Sequence, residues 1–119
     1  MNPHDTSSRT KNIQLINKIS SMVEERFLEI NNIPDDIPEI LALSEVMGGC
    51  TPVQTVLWCT IFIQNIENQK PNFSALANDL NIKTIEALAY LPELEHLNKM
   101  KLIRFVKPRR GENRTVLAP

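Results

Sequence analysis

At 119 residues, with 42% hydrophobic and 23% charged side chains, the chain is sized and composed for a single globular domain with one core, not for a disordered tail or a repeat array. Its longest dense apolar run, Val56 to Ile63, falls far short of the roughly 18 to 20 residues of a membrane span. The amino terminus has no apolar signal region, so the cytoplasm is the expected location. A net charge of −1 conceals a division: residues 1–98 carry six Lys and Arg against thirteen Asp and Glu, a net −7, and residues 99–119 carry seven against one, a net +6.

Residues 1–11 are polar and read as a loose tail. Ile13, Ile16, Ile19, Val23, Phe27 and Ile30 then repeat at three and four, which predicts an amphipathic helix over residues 12–30 that either wraps the domain or pairs with a second copy. Asn31 to Asp36 is turn chemistry. A short helix opens at Asp36-Ile37-Pro38-Glu39, buries Ile40, Leu41, Leu43, Val46 and Met47, and ends at Gly48-Gly49. Thr51-Pro52-Val53-Gln54 reads as a capping box with Pro at the first helical position. The helix that it opens, to about Asn68, is apolar on most sides and is expected to be central.

A loop with a short strand near Phe73 precedes a helix carrying Phe73, Leu76, Ala77 and Leu80. Asn81-Ile82-Lys83 breaks it, and Thr84 is the expected N-cap of a longer helix ending near Met100. Residues 102–106 and 114–118 read as two strands joined by a turn at Pro108 to Asn113. The predicted fold class is mainly α with a small β-hairpin wing, a winged helix-turn-helix with extra N-terminal helices. One domain over 12–118 divides into a helical extension (12–49), a helical core (51–106) and the wing (102–118).

Within the long helix, Ile85, Leu88, Leu91, Leu94, Leu97 and Met100 are spaced by three, and each such step drifts by about 60° around a straight helix. One face cannot bury them all. Pro92 is the expected reset, dividing the helix into arms at Leu91 and returning Leu94 and Leu97 to the core. Lys83, Glu86, Tyr90 and Glu93 are predicted to face a protein or nucleic-acid partner. Carboxylates there repel phosphates and favour a protein. The cluster Lys107, Arg109, Arg110 and Arg114 at the wing is the candidate contact for nucleic-acid backbone.

No catalytic constellation is legible, since His4 and His96 have no adjacent nucleophile and the three glycines make no phosphate-cradling loop. Cys50 and Cys59 read as reduced core thiols. No zinc spacing is present, so neither metal nor cofactor is expected. Asp35 and Asp36 suit helix capping better than metal binding.

Cys50 to Gln54, Phe73 to Ala77, Ile85 to Leu88, and Tyr90 to Leu94 followed by Leu102-Ile103 resemble the amino-terminal winged-helix domain of a family of bacterial AAA-type ATPases, over residues 38–118. More generally the segment is similar to MarR-like winged helices. The resemblance implies a fragment whose nucleotide-binding module lies beyond Pro119. It gives the expected function as a non-catalytic recognition or regulatory module that contacts a protein partner or the downstream ATPase domain, with nucleic acid as a second contact. The alternative is a free-standing MarR-like regulator that binds DNA and dimerises through residues 13–30.

Overall fold

The computed structural model describes residues 3–67, 72–106 and 116–118, with side chains for 10–67 and 72–103. The helices in order are α1 (Pro3–Glu24), α2 (Pro38–Val46), α3 (Pro52–Ile66), α4 (Phe73–Leu80), α5 (Thr84–Ala87) and α6 (Leu91–Lys99), with a 3-10 turn (Leu88–Tyr90) between the last two. Strands β1 (Arg104–Val106) and β2 (Val116–Ala118) follow.

The most apolar helix is in the middle. Thr51 Oγ1 accepts from the Gln54 backbone N–H (3.2 Å) and Gln54 Oε1 from that of Thr51 (3.0 Å), so α3 opens with the capping box that the sequence predicts. Val56, Leu57, Cys59 and Ile61 lie fully buried, and α3 packs against α1, α2, α4, α6 and β2. Trp58 stacks on Phe62 with ring centroids 5.0 Å apart and donates its indole N–H to the Leu102 carbonyl (3.1 Å), which anchors the chain after α6 to this helix.

Around it, α1 begins inside the stretch read as a tail and ends six residues before Ile30. Its end is set by Arg26, which takes a left-handed φ of 65° while its N–H bonds the Val23 carbonyl (3.1 Å) and the Phe27 N–H bonds that of Met22 (2.8 Å). This double closure is a Schellman motif, usually built on glycine. Leu28 and Ile30 are thereby turned back into the core and Phe27 is expelled, at 77% exposure. In α2, Ile40 and Leu43 share the buried stripe, whereas Leu41 (50%) and Val46 (60%) fall outside it because a helix this short presents one narrow face to the core. Gly48 closes α2 with a φ of 98°.

Phe73 starts α4 rather than a strand, because Asn72 Oδ1 caps the helix by accepting from Ala75 N–H (2.9 Å). Thr84 is the first residue of α5, not its cap. Glu86 Oε1 closes that end from inside the helix by accepting from Lys83 N–H (3.2 Å). The break expected at Pro92 falls just before it, over Leu88–Tyr90, since Pro92 lies in the first turn of α6, where no backbone N–H is needed. Leu94 and Leu97 are fully buried in consequence, and Ile85 (72%) and Leu88 (47%) are left in solvent.

The expected fold class is corrected by these observations. A winged helix-turn-helix needs a long second helix and a hairpin wing. After the turn at Asn81, α5 is a single helical turn, and no wing is seen: the described residues make a helical body. Its only extended pairing among those residues is a three-residue antiparallel ladder, Arg104 opposite Ala118 and Val106 opposite Val116. Strands so short do not form an independent layer. The turn read at Pro108 to Asn113, with Lys107, Arg109, Arg110 and Arg114, lies outside the described residues, as does Met1-Asn2 of the tail.

Candidate docking surface

Three of the polar residues singled out on the α5–α6 segment are engaged by the body of the protein. Tyr90 donates its hydroxyl to Asn31 Oδ1, Asn31 Nδ2 donates to Glu86 Oε2 (3.3 Å), and Glu86 Oε1 accepts from Lys83 N–H. Burial, and then the charge of Glu86, push the Tyr90 phenol above its ordinary range, which keeps it a donor in this chain of bonds. Glu93 lies apart from that group. Its Oε2 accepts from Gln54 Nε2 (2.8 Å), so Gln54 joins the start of α3 to α6 as well as capping it. Lys83 itself is exposed.

The network pins the turn after α1 to α5, and between them lies a cleft of about 300 Å³. The buried Leu28, Ile30 and Leu80 and the half-buried Ile82 line it together with the polar Arg26, Glu29, Asn31, Asn81 and Glu86, and its accessible lining is more polar than apolar. Phe27 follows Arg26 in the chain and Ile85 precedes Glu86. Phe27 and Ile85 are the most exposed large apolar side chains among the described residues, at 77% and 72%, and each is the chain neighbour of a residue that lines the cleft. Polar side chains hold the scaffold and apolar ones face water, the reverse of an ordinary surface helix. Leaving a side chain of this size in water forgoes roughly 1.5 to 3 kcal/mol of burial.

A second cleft, of about 280 Å³, is lined by residues of α1, α3 and α4, including Asp79, the chain neighbour of the Leu80 that lines the first. Ser20, Ser21, Glu24, Thr60, Glu67 and Asp79 contribute to its walls. Beside it the buried Gln64 donates through Nε2 to Asp79 Oδ2 (2.7 Å), and its Oε1 has no partner. Glu24, Glu67 and Asp79 line this cleft and Glu29 and Glu86 the first, and among the described lining residues the cation is Arg26, in the first cleft.

Sequence reading places Phe27 on a buried helical face and gives Asn31 to a turn. The signal for the exposed Ile85 on α5 and Leu88 at the 3-10 turn is nevertheless present: apolar residues stepping by three cannot all share one buried face. Which of them lose burial is set by the position of the 3-10 turn. Arg26 and Glu29 carry no sequence signal, because their place on the rim depends on a left-handed residue that is not glycine.

Among the described residues no three His, Cys, Asp or Glu side chains are grouped to hold a metal ion, and no helix is long and apolar enough to cross a membrane. No family model, curated protein or solved structure matches the chain. The resemblance to AAA-type ATPase domains rests on the residues quoted for it.

Proposed function

We propose that the chain is a non-catalytic recognition module that docks a protein partner on the surface made by Phe27, Ile85, Leu88 and the cleft beside them. The observation that carries this reading is the inversion at α5: Glu86 and Tyr90 bond inward to Asn31 while Ile85 and Leu88 stand in solvent. A rigid scaffold under exposed apolar side chains is the anatomy of an interface core before its partner arrives. α1 uses Ile16, Ile19 and Val23 on its own core, which favours wrapping over pairing with a second copy.

The test is selection of a random peptide library on the protein, followed by measurement of the selected peptides on Phe27→Ser and on Ile85→Ser/Leu88→Ser. These side chains are exposed, so the substitutions are expected to leave the circular dichroism spectrum unchanged and stability within about 0.5 kcal/mol. Peptide affinity is expected to fall about tenfold or more, as for a residue at the centre of an interface. Affinity that survives both variants places docking elsewhere.

The charge division favours a second reading, contact between the basic residues Lys107, Arg109, Arg110 and Arg114 and nucleic-acid backbone, since residues 99–119 carry a net +6. If about four of them meet phosphates, log affinity for a random-sequence duplex falls against log salt with a slope of roughly −3 to −4. Arg109→Ala/Arg110→Ala/Arg114→Ala then abolishes binding at about 50 mM salt, where counterion release most favours it. A duplex bound equally by that variant removes the reading.

A further inference from the structure

Resting on the docking reading above, we infer that the occupant of this surface is a basic amphipathic segment of a partner protein, whose apolar side chains cover Phe27 and Ile85 and whose Arg or Lys enters the cleft beside them. The cleft has the two parts that a long cationic side chain needs. Leu28, Leu80 and Ile82 among its lining residues give apolar contact to the aliphatic stem, and the carboxylates of Glu29 and Glu86, which also line it, receive the charged head. Glu86 already accepts from Asn31 and Lys83, which orients its carboxylate, and Glu29 is exposed.

The field around the cleft has the same sign. Glu24, Glu67 and Asp79 line the second cleft, and the first 98 residues together carry a net −7. Among the described lining residues Arg26 is the cation, and Lys83, exposed three positions before Glu86, stands outside the lining. An acidic partner would meet the carboxylates of Glu29 and Glu86 at the rim and the net −7 of the first 98 residues, which costs affinity and slows encounter. A neutral apolar partner would leave the rim carboxylates desolvated without a counter-charge. A basic helix or strand satisfies both requirements, with anchors at alternate turns or residues.

Two labelled probe peptides test the assignment: an amphipathic peptide of Leu, Ala and Arg, and the same peptide with every Arg replaced by Glu. Binding to the full chain is followed by fluorescence anisotropy. The Arg peptide is expected to bind at least about tenfold more tightly than the Glu peptide, and to weaken as salt is raised. Glu29→Lys is expected to reduce that preference several-fold. The hydrogen bond that Glu29 makes uses its carbonyl, to Asn32 N–H (2.9 Å), and survives the substitution.

Equal binding of the two peptides overturns the inference, as does a preference untouched by Glu29→Lys. If both peptides are then lost together in Ile85→Ser/Leu88→Ser, the docking surface stands and only the charge of its partner is wrong. Binding of neither peptide also overturns the inference, and the library selection decides the docking surface independently.

Discussion

Ile61→Ala is expected to lower the stability of the fold by about 3 to 4 kcal/mol, within the range of buried Ile truncations whose sites cannot collapse. Ile61 is fully buried in the middle of α3, the helix against which α1, α2, α4 and α6 all pack. Little slack exists there, because the neighbouring walls belong to different helices and closing the gap would move several of them. Against a total stability of about 5 to 15 kcal/mol for a domain, a loss of this size is severe. Urea titration followed by Trp58 fluorescence reads it as a lower midpoint at unchanged slope. Ile85→Ala is the control, with its side chain 72% exposed, and is expected to move the midpoint within error. Equal effects at the two positions would mean that α3 is not the centre of the core.

The contrast between these two isoleucines also marks how far the sequence can be read. Ile61 lies in a stretch that is apolar on nearly every side, so its burial follows from composition whatever the topology. Thr51-Pro52-Val53-Gln54 is equally local: each partner of the capping box lies within three residues of the other, and the bonds form as expected. Ile85 and Phe27 are different. Both match a helical apolar pattern, and both are exposed because the chain leaves that pattern nearby, at the 3-10 turn over Leu88–Tyr90 and at the left-handed Arg26. Neither event has a residue that announces it, since Arg is not a usual left-handed residue and Pro92 marks its break only to within a turn. The rim of the cleft is harder still. Asn31 meets Glu86 and Tyr90 more than fifty positions away in the chain, a pairing that depends on tertiary contact between α1, α4 and α5.

The winged helix-turn-helix expectation failed for a related reason. It took residues 84–100 as one helix reset at Pro92 into two helical arms, the first running to Leu91, and joined it to a hairpin. The division falls as expected near Pro92 and leaves Leu94 and Leu97 fully buried, but the first arm is cut to the single turn of α5 followed by a 3-10 turn. With the second helix reduced to one turn, the surface that it presents is a short apolar edge beside a cleft. The protein contact expected on the polar residues Glu86, Tyr90 and Glu93 is in our proposal moved to the apolar residues Ile85 and Leu88, because the polar ones are bonded to the body of the protein.

Raising the pH above 9 is expected to destabilise the wild-type protein through Cys59, and replacing that residue by Ala is expected to remove this part of the loss. Cys59 is 1% exposed on α3, and burial pushes its thiol up to about 12 from an ordinary 9.0, because a thiolate there would be stripped of water with no counter-charge. Below pH 9 the thiol is protonated in the folded and unfolded chains alike and contributes no pH dependence. Between 9 and 12 the unfolded chain releases the proton and the folded chain retains it. The unfolded state then binds fewer protons, so stability falls as pH rises, by about 1.4 kcal/mol per pH unit and about 4 kcal/mol over the whole window. Cys50 and Tyr90, also raised by burial, act in the same direction and cancel in a comparison of wild type with Cys59→Ala. At pH 8 that variant is expected to be less stable by about 1 kcal/mol for its lost sulfur contacts. Urea titrations at intervals from pH 8 to pH 11 should show the two curves converge above pH 9 and then cross, whereas curves that stay parallel would mean that Cys59 ionises in the folded protein as easily as in the unfolded one.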